Sequence, residues 1–176
     1  SKVMNAALLY LDACRPARAW IHSPEDLGYY QSSPLFTGGA SGELLTGVEI
    51  QLMRETDGRY WTGTAWWSDP VWLAASGMEA WSYSIPADLE EGLYTARARA
   101  VRATSAQDPD EVSFGIDRSR PKSPTIINPT DGITVTTLPV VLEWAAPLDD
   151  GSPLSYQFEL DGVPLSTAEL THVASL

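Results

Sequence analysis

The sequence predicts an all-β protein built from tandem Greek-key β-sandwiches. Three observations carry this prediction: short segments in which apolar and polar residues alternate, a composition rich in turn formers and amphipathic aromatics, and an internal repeat. The 176 residues include 13 Gly, 13 Pro, 7 Trp, 7 Tyr and only 3 Phe. Gly and Pro favour turns, and strands with one half-wet face favour Trp and Tyr.

The repeat has an offset of about 105 residues, the usual size of one β-sandwich domain. Residues 11–16 resemble residues 116–121, and after a small slip residues 48–52 match residues 156–160. Four further positions stay in step with their partners: Ile21 with Ile126, Pro24 with Pro129, Asp26 with Asp131, and Pro34 with Pro139. The repeat predicts a tail at 1–16, a complete sandwich at 17–117, a stiff linker at 118–124 and a partial domain at 125–176.

Alternation predicts about seven short strands in the complete domain. The clearest segments are residues 19–22, 35–40, 48–53, 81–85, 94–101 and 112–116, with a turn at Asp57-Gly58. The partial domain has strand patterns at 125–127, 140–144, 156–160 and 170–173. In the tail, residues 6–12 align with the closing strand of the complete domain. We expect the core to contain Val48, Ile50, Trp81, Tyr83, Tyr94, Ala98, Phe114 and Ile116.

If Val48, Ile50 and Leu52 face the core, Glu49 faces outward, beside Arg97 or Arg99 of the neighbouring strand. We expect a charge pair across these two strands.

Several function classes are disfavoured by the composition. The net charge is −12, from 23 Asp+Glu and 11 Lys+Arg, so the basic footprint of a nucleic-acid binder is missing. The longest apolar run, residues 6–11, is too short to cross a bilayer. The single Cys14 gives no disulfide framework. The sequence has two His and no metalloprotease, nucleophile-elbow, dinucleotide or phosphate-loop motif, so we expect no enzyme.

Four segments together resemble a bacterial Ig-like domain: residues 47–52, residues 57–66 with their Tyr-Trp-Thr-Gly-Thr-Ala-Trp stretch, residues 81–83 and residues 92–100. Residues 139–162 are similar to the first half of a fibronectin type III or related Ig-like domain. The resemblance implies an extracellular or cell-surface protein with tandem copies. It also implies a fold and a context rather than a ligand. The Gly92-x-Tyr94 pattern predicts a tyrosine corner.

Five aromatic residues around the 56–76 excursion have two interpretations: Tyr60, Trp61, Trp66, Trp67 and Trp72. They could stack on the faces of sugar rings, or they could pack as a small core over the sandwich edge. Packing is favoured, because the resembling family carries the Tyr-Trp stretch as part of its fold. Trp67 is the best candidate for a sugar contact, since adjacent Trp66 and Trp67 cannot share one face of a strand.

Two other sites are considered. Calcium at a domain joint could use Asp117 and Asp131, although both are also ordinary turn residues. No other cofactor is expected. A half sandwich at 125–176 would expose an apolar face, so the chain is either an excerpt of a longer protein or a subunit that assembles by strand addition. In the second case the tail of one copy would join the half domain of the next and build a filament; the residues involved would be Ala6, Leu8, Leu9, Tyr10, Leu11, Phe158 and Leu160.

These observations favour a non-catalytic structural or adhesive module that acts as a spacer or assembly unit. Its partners would be neighbouring Ig-like domains or other copies of itself. The alternatives are a carbohydrate-binding module that uses the Trp-rich loop, with a glycan as partner, and an accessory domain of a secreted hydrolase.

Overall fold

A computed structural model describes residues 16–102, 105–106, 108–136, 139–148 and 153–174. These residues are all-β and contain no helix, and therefore no helix long and apolar enough to cross a membrane. The chain divides into two units between Arg118 and Ser119. The expected tail strand at 6–12 lies outside the described residues.

The first unit contains twelve strands in its described part. They are β1 Arg18–Ser23, β2 Gly28–Tyr30, β3 Phe36–Ser41, β4 Leu45–Arg54, β5 Arg59–Trp61, β6 Trp66–Trp67, β7 Leu73–Ala74, β8 Ser76–Gly77, β9 Ala80–Tyr83, β10 Gly92–Arg102, β11 Ser105–Ala106 and β12 Asp110–Ile116. The predicted strands lie within two residues of β1, β3, β9, β10 and β12 at each end, and within three residues of β4. The alternation missed β2, β5 to β8 and β11, because strands of two or three residues are too short to show a period.

Two sheets form the sandwich of the first unit. The smaller sheet has the order β1-β3-β9-β8, and the larger has the order β2-β12-β10-β4-β5-β6, with β7 beside β4 and β11 beside β10. The chain passes from the small sheet to the large one between β1 and β2, where the Ser23–Pro24 bond is cis and Leu27 has a φ of 60°. β1 therefore belongs to the small sheet and β2 to the large sheet.

The core lies between the two sheets and follows the predicted alternation. Tyr94, Ala96, Ala98 and Ala100 of β10 are completely buried, and the small side chains of the three alanines leave room for the rings of the facing layer. Phe36 of the small sheet packs edge-on against Phe114 of the large sheet, with 5.7 Å between ring centroids. All the expected core residues are buried except Tyr83, which is half-buried. The prediction for Tyr83 was wrong because β9 lies near the edge of its sheet, beside the two-residue β8.

Two adjacent glycines of β3 allow two tryptophans to pack on opposite faces of the small sheet. An added Cβ at Gly38 would lie 2.3 Å from the ring of Trp81, and one at Gly39 would lie 2.4 Å from the ring of Trp20. Trp81 is buried, and its indole nitrogen donates a hydrogen bond to the carbonyl oxygen of Gly39 at 3.0 Å. A glycine is required at each position because the ring occupies the place of a side chain.

The expected tyrosine corner is present. The hydroxyl of Tyr94 donates to the carbonyl oxygen of Glu90 at 2.8 Å, four residues before it in the chain. The ring stacks on Phe114 with centroids 5.6 Å apart. Burial raises the pKa of the Tyr94 phenol above its usual value, so the folded state holds the phenol in its neutral form.

Tyr94→Phe is expected to lower the free energy of unfolding by about 1–3 kcal/mol, since the Glu90 carbonyl loses its donor. The wild-type protein should also lose stability as the pH rises above about 10, because the unfolded chain ionises Tyr94 there and the folded state does not. Urea unfolding of both proteins between pH 7 and pH 11 measures both effects. Tyr83→Phe is the control. A Tyr94→Phe protein as stable as the control, with an unchanged alkaline profile, would contradict this prediction.

The second unit contains five strands among its described residues: β13 Thr125–Asn128, β14 Val140–Ala145, β15 Tyr156–Leu160, β16 Val163–Thr167 and β17 Thr171–Ala174. One sheet has the order β13-β14-β17, and β15 pairs with β16 in a hairpin. Trp144 and Tyr156 are buried between these layers, with ring centroids 5.6 Å apart. The four predicted strands correspond to β13, β14, β15 and β17, while β16 was not predicted.

Candidate functional site

The outer face of the large sheet in the first unit carries a group of polar and aromatic side chains. Val48, Ile50 and Leu52 of β4 are buried in the core, so Glu49, Gln51 and Met53 face outward. The register sets Arg99 opposite Glu49, Arg97 opposite Gln51 and Thr95 opposite Met53. Four of these six side chains, Glu49, Met53, Arg97 and Arg99, are partly exposed and form the floor of this face, whereas Gln51 and Thr95 are only 4% and 5% exposed.

The charges on this face are paired. Arg99 contacts Glu49 at 2.7 Å, as the sequence predicted, and both side chains are partly exposed. Arg97 pairs with Glu111 of β12 and donates a longer hydrogen bond to the amide oxygen of Gln51, at 3.4 Å. Partly exposed pairs of this kind contribute little to stability, about 0–1 kcal/mol. Because each arginine is paired with a glutamate, the floor carries hydrogen-bonding groups but little net charge.

Two aromatic side chains line one side of this floor. In the register of the edge strands, Tyr60 lies opposite Met53 and Trp67 lies opposite Tyr60. All three residues consequently face outward. Trp67 is 59% exposed, the largest exposure of any tryptophan in the described residues, and Tyr60 is half-buried. An exposed indole beside a half-exposed phenol is a surface that can take the face of another ring or sugar.

A third aromatic residue covers the other end of the floor. The guanidinium of Arg99 lies 4.0 Å from the centroid of the Trp72 ring, a cation–π contact. Because Arg99 faces outward, Trp72 lies on the same face as Tyr60 and Trp67. Arg99 lies opposite Glu49, and Tyr60 lies opposite Met53. Met53 is four residues beyond Glu49 on β4, and four residues of a strand span about 13 Å.

Trp61 and Trp66 do not lie on this face, because both rings pack toward the core. Trp61 is 6% exposed and is part of the core cluster, and Trp66 is packed against that cluster. The ring of Trp66 lies 5.4 Å from Trp61 and 5.9 Å from Tyr94. The alternation of a strand sends Trp66 inward and Trp67 outward, so only every second aromatic residue reaches the surface.

Arg54 covers Trp66 at the end of this small core. Its guanidinium lies 4.8 Å from the Trp66 ring and contacts Asp57 at 2.7 Å and Glu90 at 2.9 Å. The hydrogen bond from Arg54 lowers the pKa of the Asp57 carboxyl below its usual value. These contacts bind the Asp57-Gly58 turn to the body of the unit and hold β5 and β6, with Tyr60 and Trp67, in place.

The structure gives no further support to the calcium prediction. Asp117 lies at the end of the first unit and Asp131 in the second. Across the described residues, no group of three or more His, Cys, Asp or Glu side chains could hold a metal ion. That Asp117 and Asp131 together bind calcium stays a prediction.

The residues expected to take part in assembly are only partly described. Phe158 and Leu160 lie on β15 and are half-buried, and Phe158 packs 5.4 Å from Trp144. Ala6, Leu8, Leu9, Tyr10 and Leu11 lie outside the described residues.

Comparison with known proteins adds little. The chain matches no model of a known protein family and no curated protein. Among solved structures it is similar to CopC from Methylosinus trichosporium OB3b, with 17% sequence identity, a TM-score of 0.39, and coverage of 56% of this chain and 93% of CopC. At this level the likeness carries no argument about a ligand, and the site rests on its own geometry.

Sequence patterns could identify only part of this face. Tyr60, Trp67 and Trp72 were among the candidates, and Arg97, Arg99 and Glu49 were expected to face outward. Gln51 was not singled out, and neither was the stacking of Arg99 on Trp72. Trp72 lies outside a strand, so no alternation could assign it to a face.

Proposed function

We propose that the chain is a non-catalytic β-sandwich module of an extracellular or cell-surface protein, and that its first unit acts as a load-bearing spacer. The finer assignment is an Ig-like domain at 17–117 followed by part of a fibronectin-like or Ig-like domain at 125–176, in a tandem array. One observation supports the spacer role above the others: β2, near the start of the first unit, pairs in parallel with β12, its last strand.

This pairing determines how the unit responds to tension. The chain reaches β2 through β1 and leaves the unit after β12. Once β1 has separated from β3, a pull on both ends therefore loads the hydrogen bonds between β2 and β12 along the strands. Lengthwise loading requires several bonds to break together, whereas a hairpin opens one bond at a time. The bonds include Leu27 N–H to the Ser113 carbonyl at 2.6 Å and Asp117 N–H to the Tyr30 carbonyl at 3.0 Å.

Side chains strengthen the same junction. The carboxylate of Asp26 accepts a hydrogen bond from the Ser113 N–H at 2.9 Å, and that of Asp110 accepts one from the Ile21 N–H at 2.8 Å. Each joins the entry segment of the unit to its last strand. Charge-assisted bonds to backbone N–H groups are stronger than neutral ones.

Asp26→Ala is expected to lower the force at which the first unit ruptures when pulled through its two ends, since it removes one bond between the loaded segments. The free energy of unfolding should fall by about 1–2 kcal/mol. Single-molecule pulling of the chain between handles fused to its two ends measures the force. Asp69→Ala removes a carboxylate away from both loaded segments and serves as the matched control. Equal rupture forces for wild type, variant and control would contradict the load-bearing role.

A second candidate function, glycan binding, is supported by a separate observation. Tyr60, Trp67 and Trp72 share one solvent-facing surface of the large sheet, with the ion-paired Arg97 and Arg99 between them. Aromatic faces suit the C–H faces of pyranose rings, and the planar polar groups suit their hydroxyls. The spacing of the aromatic positions along the strands fits a chain of linked sugars rather than a single sugar.

Trp67→Ala is expected to weaken binding to a neutral polysaccharide by at least about tenfold, or about 1.4 kcal/mol. The melting temperature should hardly change, because Trp67 is exposed. A glycan array selects the polysaccharide, and affinity electrophoresis gives the affinity. Trp20→Ala is the matched control, since Trp20 is a partly exposed tryptophan on the other sheet. Absence of binding on the array, or equal losses for the two variants, would rule out this face as a glycan site.

A further inference from the structure

The outer face of the large sheet carries a further aromatic residue, Tyr29 of β2. Its neighbour Tyr30 packs inward against Phe114, with ring centroids 6.2 Å apart, so the alternation of the strand turns Tyr29 outward. Gly115 of β12 follows the inward Phe114 and also faces outward. A Cβ added at Gly115 would lie 2.5 Å from the Tyr29 ring. The ring therefore lies over Gly115, on the same face as the candidate glycan site.

An exposed leucine lies beside Tyr29 on this face. Gly115 is opposite Tyr29 on one side and opposite Leu93 of β10 on the other. Leu93 precedes the buried Tyr94, so it faces outward, and its side chain is 52% exposed. The Tyr29 side chain is 38% exposed. Together they form an apolar surface over β2, β12 and β10.

This surface continues across the sheet to the strand that carries Tyr60. Thr95 lies two residues beyond Leu93 on β10, about 7 Å at the rise of a strand, and is opposite Met53. Met53 is in turn opposite Tyr60. Four strand spacings separate the strands that carry Tyr29 and Tyr60, a distance of about 19 Å, and β6 lies one strand further. Only a chain of several sugars covers this distance.

A carboxylate lies along the way. The Glu55 N–H donates to the Leu93 carbonyl at 2.9 Å, and the exposed Glu55 carboxylate accepts a hydrogen bond from the Thr95 hydroxyl. A carboxylate has about four acceptor positions, and Thr95 uses one of them. Glu55 can therefore also accept hydrogen bonds from the hydroxyls of a sugar.

Two directions are available to a chain of sugars that starts at Tyr60: along the strands towards Trp72, or across them towards Tyr29. The first direction passes over Arg97 and Arg99, whose guanidinium groups are already paired with glutamates. Trp72 is half-buried, and the Arg99 guanidinium covers one face of its ring at 4.0 Å. The second direction passes over mainly apolar side chains and ends at an exposed tyrosine. The geometry favours the direction across the strands.

We propose that this face binds a neutral, β-1,4-linked polysaccharide chain that crosses the strands from Trp67 to Tyr29, and that Tyr29 holds a sugar ring at the far end. The inference rests on the glycan-binding candidate and names its substrate class. Pyranose rings in β-1,4 linkage follow one another in a nearly straight ribbon and present C–H faces to a flat partner. The net charge of −12 repels an anionic chain, which favours a neutral one.

Oligomers of β-1,4-linked glucose, mannose and N-acetylglucosamine, each as the trisaccharide and the hexasaccharide, test the proposal by isothermal titration calorimetry. In at least one series the hexasaccharide should bind wild type more tightly than the trisaccharide does. Tyr29→Ala should lower the affinity for that hexasaccharide at least about fivefold. It should leave the affinity for the trisaccharide unchanged, because a trisaccharide on Tyr60 and Trp67 does not reach Tyr29. Trp67→Ala should weaken the binding of both.

Two further variants control this measurement. Tyr29→Phe keeps the ring and should bind the hexasaccharide as wild type does. Trp72→Ala removes a ring from the same face but away from the proposed path, so it should change the hexasaccharide affinity by less than about twofold. Unchanged trisaccharide binding shows that the Tyr29→Ala protein is folded.

Three outcomes overturn the proposal in different ways. Wild-type hexasaccharide affinity in Tyr29→Ala, or a larger loss in Trp72→Ala, shows that the chain does not cross the strands to Tyr29. Binding of other glycans on the array, but of none of these oligomers, shows that the substrate class is wrong and leaves the glycan-binding function intact. Absence of any binding on the array overturns both the function and this inference.

Discussion

Replacing Trp81 by alanine is expected to lower the free energy of unfolding of the first unit by about 3–5 kcal/mol, a large part of the stability of a domain of this size. Trp81 is 2% exposed and fills the space over Gly38, so truncation leaves a cavity between the sheets. The Gly39 carbonyl also loses the hydrogen bond that the Trp81 indole nitrogen donates to it, at 3.0 Å. Urea unfolding followed by far-ultraviolet circular dichroism measures the change.

Trp67→Ala is the matched control for this measurement, because it removes the same side chain from an exposed position of the same unit. Its free energy of unfolding should remain within about 0.5 kcal/mol of wild type. The assignment of Trp81 to the core is wrong if both tryptophan variants lose a similar, small amount of stability.

Gly38→Val is expected to cost about 3 kcal/mol, at the upper end of the range for overpacking. A Cβ at this position would lie 2.0 Å from the backbone oxygen of Trp20 and 2.3 Å from the ring of Trp81. The oxygen belongs to β1, which is paired with β3, so it cannot move without disturbing the sheet. The same unfolding measurement gives the loss, which should appear as a lower midpoint with an unchanged slope.

Gly47→Val provides the control, since Gly47 also lies in a strand but has no atom within 4 Å of an added Cβ. Valine favours an extended backbone more than glycine does, so this variant should be as stable as wild type or slightly more stable. Equal destabilisation of both valine variants would show that the cost comes from the strand conformation and not from the tryptophans packed on Gly38.

Most of the first sandwich could be predicted because its long strands alternate cleanly. Ile50 and Tyr94 belong to runs in which every second residue is apolar, and the predicted inward faces are those that the structure buries. The pair of Glu49 with Arg99 followed from the same alternation. Tyr83 was misplaced, because alternation assigns a face and does not show how near a strand lies to the edge of its sheet.

Only part of the candidate binding face could be predicted from the sequence. The cluster of aromatic residues was evident, and the separation of Trp66 from Trp67 followed from strand geometry. The sequence could not show that Trp61 is inside and Trp72 outside. Trp61 belongs to a three-residue strand and Trp72 to none, so the face that each ring occupies depends on which neighbour the chain folds back against.

The sequence by itself determined the all-β class and the inward faces of the long strands, because these depend on local periodicity along the chain. Only the tertiary structure decided that β2 pairs in parallel with β12 and that Tyr60, Trp67 and Trp72 share one face. It also decided that Ile133 borders a cleft in the second unit. These features depend on contacts between residues far apart in sequence, and such contacts form through the packing of whole sheets, which no local pattern records.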